Sequence, residues 1–483
     1  MPRPLALLLV AIALLGVAWA MFTPSWQAPD EPAHYGYVES LAQRHSVPGA
    51  RTGFVYSSEQ SRALQRSNGD KLSQLSDGRP QWFDGAEGVF GEGELPTDNG
   101  GGNTEGDVNP ARSNPPAYYL YETVAYGAAG IAGTTPARLY WMRIASVLLL
   151  LVTVTGAWLL VGELFGRRRD LQLVAAGLTG LLPMATFISG SVTPDALLCA
   201  SWSLVLWLGV KSLRSGLTRR GAVALCAVTA LAVLTKATSY ALVPPVAAVV
   251  LFGLIRHRRS SAAGGELRIA ALSFSALVVP VLAWVVAARA AGRPSVNQVG
   301  STGTENALAD QAFNAAQIAS YMWQFYLPRL SSQADFPQVV GVPVYDVWLK
   351  DLTGRFGWVQ IALPDGLYVA AGVTAVVIIV VGIVQAARQP PPIRLGFAFL
   401  GLVALLTVIG LHVVDYRIAV QQSLPFMQGR YLLPLVPIGG ALLAATLSGL
   451  GPRLRSGMLA LFLGGLAAFQ VVAFAQAAGY WYV

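Results

Sequence analysis

Long apolar runs, each about the length that crosses a bilayer, alternate along the whole sequence with short links rich in arginine and lysine. Apolar runs of this length have few ways to fold other than as helices, because in lipid every backbone polar group must be satisfied within its own segment. We place about eleven spans of roughly this length, near 4–22, 140–165, 171–189, 195–211, 221–235, 241–255, 269–291, 367–387, 395–414, 431–450 and 457–476. The fold class expected is therefore an all-α polytopic membrane protein, one bundle over residues 1–483. Charged residues make up 12% of the chain, against about 25% in soluble domains. The net charge of +8 could suggest nucleic acid, but the basic residues are dispersed in the links, so no nucleic-acid partner is expected. Cys199 and Cys226 both lie inside apolar runs and read as small packing residues, not as a disulfide.

Every second link is basic: Arg167-Arg168-Arg169; Lys211, Arg214, Arg219 and Arg220; Arg256, Arg258, Arg259 and Arg268; Arg388 and Arg394; Arg453 and Arg455. With Arg3 these predict a cytoplasmic N-terminus and a cytoplasmic face made of short basic links. All but Glu163, Asp170 and Glu266 of the 25 Asp and Glu residues then fall outside the cytoplasm. Two extracytoplasmic loops are long, 23–139 and 292–366, and loops of that size are usually functional or disordered. Residues 117–132 could cross, but a crossing there would move the Arg167 cluster outside; the stretch is expected to be an interfacial helix. The 221–235 and 241–255 pair must cross twice or not at all, and crossing twice brings Lys236 and Tyr240 to the outer face. Ala18-Trp19-Ala20 resembles a signal-peptidase site, and a retained first helix is the simpler reading. The Gly- and acid-rich stretch 84–109 lacks regular calcium-ligand spacing and reads as a solvated loop.

Pro29-Asp30-Glu31-Pro32-Ala33-His34-Tyr35 follows the first span. Asp30 or Glu31 could simply cap a helix that begins near Pro32, or the pair could supply a general base and an orienting partner. Asp195 opens the fourth span, again with a capping alternative. Lys236 lies between two spans, where a lysine either snorkels or acts on a ligand. Arg417 follows Asp415-Tyr416, and Gln428-Gly429-Arg430-Tyr431 opens the tenth span; an outer-rim arginine implies either a structural carboxylate or an anionic ligand. Trp323 and Trp358 read as belt aromatics or as sugar-stacking rings. A carboxylate base, a rim lysine and an arginine suit a substrate with a lipid-phosphate head.

Six segments then occur in order: Pro-Asp-Glu-Pro-Ala-His-Tyr at 29–35, Asn-Pro-Pro-Ala-Tyr-Tyr at 114–119, Val-Thr-Pro-Asp at 192–195, Thr-Lys-Ala-Thr-Ser-Tyr at 235–240, Phe-Gly-Trp at 356–358 and Gln-Gly-Arg-Tyr at 428–431. Together they resemble a bacterial family of predicted membrane proteins, a domain of unknown function, within the GT-C glycosyltransferase superfamily. The resemblance covers nearly the whole chain. It departs at Asn114, where the family often has His, and at Arg355, where Ser is usual. It implies a GT-C-like bundle with interfacial helices in the first outer loop and a polyprenyl-phosphate sugar donor. By that resemblance Asp30 and Glu31 match the catalytic acidic pair, with Asp30 favoured as base. Lys236 matches the donor-side lysine, and Arg430 with Tyr431 the late outer motif. His34, Asp195, Tyr240, Trp358, Arg417 and Gln428 complete the candidate substrate-binding set. Superfamily members differ in using a divalent cation, Mg or Mn, at the acidic motif. His34, His45 and His412 have no convincing metal spacing, and none is expected to be required. The expected function is transfer of a sugar from that donor to a glycan or lipid acceptor of the cell envelope, outside a bacterial plasma membrane. A lipid-linked glycan flippase and a non-catalytic glycan-binding scaffold are the alternatives.

Overall fold

The computed structural model describes residues 1–48, 56–66, 109–130, 134–260, 266–291, 315–333, 345–422 and 427–483. The helices, in chain order, are α1 (Arg3–Phe22), α2 (Glu31–Arg44), α3 (Ser58–Arg66), α4 (Ala117–Ala129), α5 (Thr135–Phe165), α6 (Arg169–Leu181), α7 (Pro183–Ser189) and α8 (Asp195–Ser215). They continue as α9 (Arg219–Val233), α10 (Val243–Ser260), α11 (Glu266–Ala290), α12 (Ala315–Tyr326), α13 (Asp365–Ala387), α14 (Pro391–Gln422), α15 (Val436–Ser448) and α16 (Pro452–Trp481). Among the described residues a single two-residue ladder, β1 (Arg355–Phe356) with β2 (Ile361–Ala362), is antiparallel.

Among the described residues nine helices are long and apolar enough to span a membrane, and the bent pair α6–α7 makes a tenth. The eleventh expected span, 221–235, is α9, whose 15 residues reach about 22 Å, less than a hydrocarbon core of roughly 30 Å, yet it runs from beside the Ser215 end of α8 back to Lys236, which pairs with Asp195 at the other end of α8. Depth in the bundle separates the spans. In α8 78% and in α5 61% of the apolar window is buried, against 11% in α11, α13 and α16. Helices α5 and α8 therefore form the centre, and the outer three turn Leu, Val and Ile towards lipid. The centre is close-packed: a Cβ on Gly156 of α5 would lie 2.4 Å from Ser203 Oγ of α8.

The bend between α6 and α7, 59°, falls at Leu182-Pro183, where proline has no N–H to continue the ladder. A carbonyl freed there needs another donor in lipid. Gln470 of α16 supplies it, giving Nε2 to Leu181 O at 3.1 Å and to Thr186 Oγ1 at 2.8 Å while Oε1 accepts from Trp19 Nε1. The break is thus a built feature. It turns Val192 and Asp195 toward the end of the bundle that carries the sequence motifs, where α2, α4 and the turn Pro110–Ser113 cover the ends of α1 and α5. Helix α4, at 13 residues or about 20 Å, is too short to cross. It docks by Tyr118, Tyr119, Glu122 and Tyr126. At the opposite end Arg455 Nε meets Asp170 Oδ2 at 2.5 Å.

Candidate active site

The two adjacent carboxylates of the acidic motif point to different partners. Glu31 is fully buried and held bidentately by Arg143 of α5, Nε to Oε1 at 2.8 Å and Nη2 to Oε2 at 2.6 Å. It also accepts from the backbone N–H of Trp26 at 3.2 Å and of Val192 at 3.1 Å. Arg143, equally buried, gives its other donors to the carbonyls of Ala20 (3.0 Å), Thr23 (2.6 Å) and Pro24 (3.0 Å). All five guanidinium N–H groups and the four principal acceptor directions of the carboxylate are in use. This pair is closed: it locks the end of α1 to α5 and to the loop before α8.

Asp30 is different. It precedes α2 in the left-handed region, φ 61°, and its side chain makes no capping bond, so the capping reading does not describe it. Instead Oδ2 accepts from Arg430 Nη2 at 2.5 Å, across 400 positions of sequence. The Asp30 side chain remains 48% exposed while that of Arg430 is 7% exposed. Burial pushes the Asp30 carboxyl up, but Arg430, His34 and Lys236 together outweigh it and hold the group below the usual aspartate range. Asp30 is therefore ionised at neutral pH. Arg430 Nε is buried with no hydrogen-bond partner.

A second ion pair stands beside the first. Asp195, at the first residue of α8, accepts from Lys236 Nζ at 2.6 Å. Tyr431 joins the pairs, its ring centroid 4.9 Å from Lys236 Nζ and 5.6 Å from Arg430 Cζ. Four segments distant in sequence, at 30, 195, 236 and 430, thus meet at one end of the bundle.

His34 lies one turn along α2, its Nδ1 2.9 Å from Tyr119 Oη, which also accepts from Asn114 Nδ2 at 2.8 Å. Tyr119 stacks on Tyr37 at 3.7 Å. Burial lowers the imidazole to about 4, so His34 is neutral at pH 7 and contributes hydrogen bonds there, bearing on Asp30 as a charge only in the acid range. Tyr240 is 40% exposed on the turn Ala237–Leu242 that follows Lys236, and Ser239 of that turn is anchored by Trp202 Nε1 at 2.9 Å. Trp358 donates Nε1 to Trp26 O at 3.1 Å. Gln428 is the extended residue before the turn Gly429–Leu435. The Arg417 side chain lies outside the described residues.

Asp30 and Glu31 do not fit a jointly held divalent cation, because Arg143 occupies both oxygens of Glu31 and the two carboxylates diverge. No group of three metal-ligating residues occurs among the described residues. The sequence reading missed Arg143 and Asp351. Arg143 had a signal: a lone arginine just inside an apolar span is costly in lipid and implies a buried partner.

The model of the family DUF2142, described as a predicted membrane protein, matches residues 13–439. The chain belongs to that family. Its members are thus membrane proteins by description, in keeping with the ten apolar spans or bent spans above. Among solved structures, ArnT from Cupriavidus metallidurans bound to undecaprenyl phosphate is 18% identical with a TM-score of 0.45, over 96% of this chain and 63% of that one. The oligosaccharyltransferase AglB from Archaeoglobus fulgidus, in complex with an inhibitory peptide and a dolichol-phosphate, is 11% identical with a TM-score of 0.47, over 98% and 56%. The chain spans less than two thirds of the length of either structure. No curated protein matches the sequence.

Proposed function

We propose that this DUF2142-family protein is an inverting glycosyltransferase of GT-C type. It transfers a sugar from a polyprenyl-phosphate donor to a glycan or lipid acceptor on the extracytoplasmic face of the bacterial plasma membrane. The observation that carries this reading is the contrast between the two arginines. Arg143 is saturated, whereas Arg430, also buried, uses one donor on Asp30 and keeps Nε without a partner. A buried guanidinium with spare donors calls for an anion, and its planar fork matches a phosphate.

In this mechanism the ionised, half-exposed Asp30 takes the proton from an acceptor hydroxyl. The acceptor oxygen forms its bond to the anomeric carbon as the bond from that carbon to the phosphate oxygen breaks. The electron pair leaves on the polyprenyl phosphate, whose negative charge Arg430 and Lys236 stabilise. Attack and departure on opposite faces invert the anomeric centre. Glu31 takes no direct part; it fixes the backbone from which Asp30 projects.

The test is Asp30→Asn in a strain lacking the wild-type protein, read by mass spectrometry of polyprenyl-phosphate sugars. Loss of the base lowers transfer on the order of 10²–10⁴-fold, so the same lipid-linked sugar accumulates as in the deletion strain. Full complementation by well-folded Asp30→Asn overturns the reading.

A further inference from the structure

Asp30 and Arg430 come from opposite ends of the chain, and one short piece of the second long loop touches the neighbours of both. On one side the indole Nε1 of Trp358 donates to Trp26 O at 3.1 Å. Trp26 is buried at φ 68°, and its own N–H is bound to Glu31. Residues 26–31 are therefore held at both ends of the turn that presents Asp30. On the other side the Asp351 carboxylate faces Gly429 N at 3.4 Å. A Cβ on Gly429 would lie 2.6 Å from Leu352 N and Val347 O and 2.7 Å from Trp348 O, distances no side chain tolerates. The residue before Arg430 thus rests directly on the 347–352 backbone, which accounts for the glycine of Gln-Gly-Arg-Tyr.

The piece between these contacts is stiff. Arg355 pairs with Ala362 and Phe356 with Ile361. Tyr368 Oη donates to Gly354 O at 2.7 Å and accepts from Leu363 N at 2.8 Å. Arg355 Nη1 meets Asp351 Oδ1 at 3.3 Å, and buried Phe356 stacks on Trp19 of α1 at 4.9 Å. Gly357, at φ 63°, provides the left-handed turn that swings Trp358 towards Trp26.

We propose that residues 351–358 form a bracket that sets the separation of Asp30 and Arg430, with Asp351, Trp358 and Gly429 as positioning residues. The role in transfer rests on the function proposed above; the geometric role does not. The charged and titratable groups facing Asp30 are Arg430, His34 and Lys236, with Tyr56 and Tyr119 also within electrostatic reach and Asp195 behind Lys236. Opening the bracket draws Arg430 away and lets the Asp30 carboxyl rise, so more of it is protonated at a given pH.

The experiment needs no activity. Purified protein is labelled with a water-soluble carbodiimide and glycine ethyl ester across about pH 2.5 to 7, a window that takes in a depressed, an ordinary and a raised aspartate. Labelling of Asp30 is quantified by peptide mass spectrometry. Arg430→Gln calibrates the full effect, expected at about one unit or more. Trp358→Phe keeps the ring and removes the indole donor; Gly429→Ala forces the motif off its seat. The bracket predicts that both move the Asp30 midpoint upward, towards that of Arg430→Gln. A midpoint unmoved in folded Trp358→Phe and in whichever of the other bracket variants, Gly429→Ala or Asp351→Asn, folds, while Arg430→Gln moves it, overturns the bracket. An unmoved midpoint in Arg430→Gln overturns it too, since the pair would then not exist. Complementation by Asp30→Asn, measured separately, would sink the enzyme reading without touching these midpoints.

Discussion

Arg143 and Arg430 face adjacent carboxylates and stand in opposite states of satisfaction, and the difference predicts opposite phenotypes. Removing one member of the saturated pair, as in Arg143→Met, strands a buried charge on Glu31 and should destabilise the protein by about 3–5 kcal/mol. Thermal unfolding in detergent measures this; a midpoint equal to wild type would mean the pair is dispensable. Under the proposed function, Arg430→Lys keeps the charge but loses the fork, so it should unfold close to wild type while binding a polyprenyl phosphate more weakly by about tenfold. Equal binding of the two proteins in a filter or fluorescence titration would make Arg430 a structural partner of Asp30 alone. At this scale the sequence made Asp30, Asp195, Lys236 and Arg430 conspicuous, since ionised groups at the mouths of apolar spans are costly. Which charge meets which is set by tertiary packing, and no local pattern distinguishes Asp30 from Glu31. The difference arises from the left-handed backbone at Asp30, which turns neighbouring side chains to different sides.

Among the elements, α4 carries a charge problem of its own. Glu122 is fully buried against α5, where Oε1 accepts from Ser146 Oγ at 2.9 Å and Oε2 has no partner. Burial, opposed by the neighbouring hydroxyls of Ser146 and Tyr118, pushes its carboxyl from 4.5 to about 8. Between those values the folded protein holds a proton that the unfolded chain has released, so stability falls as pH rises. The contribution is complete below about pH 4.5 and is lost as pH climbs through about 8. Glu122→Gln, which keeps the shape and has no charge to bury, should abolish this slope and raise the unfolding midpoint most near pH 8. Parallel pH–stability curves for the two proteins would refute the assignment. Apolar length made most spans readable, including the kinked one at Pro183. Helix α9 was placed correctly although its 15 residues fall below ordinary span length, and the contact of α4 with α5 lies beyond any sequence period because it joins polar groups across elements.

At the scale of the whole molecule the alternation of basic links with apolar runs gave an all-helical bundle with its motifs at one end, and the helices follow that course. What the alternation does not encode is depth. Leu- and Val-rich helices look alike whether they lie at the centre, as α5 and α8 do, or face lipid, as α11 and α13 do, because lipid and protein interior are equally apolar. Sidedness can be tested directly. Ser46, exposed at the end of α2, and Ser215, exposed at the end of α8, belong to opposite ends of the bundle. The native Cys199 and Cys226 are both buried and should stay silent. If the arginine-rich links face the cytoplasm, Ser46→Cys reacts in intact cells with a membrane-impermeant maleimide, whereas Ser215→Cys reacts only after the membrane is opened. The reverse pattern would put Asp30, Lys236 and Arg430 on the cytoplasmic side, and the acceptor would then have to be a cytoplasmic molecule instead of an envelope glycan. Labelling of both in intact cells would contradict a single fixed orientation. The positive-inside bias predicts the first result, because moving any one of the basic links outward would require its arginines to be translocated against the trend shared by all the others.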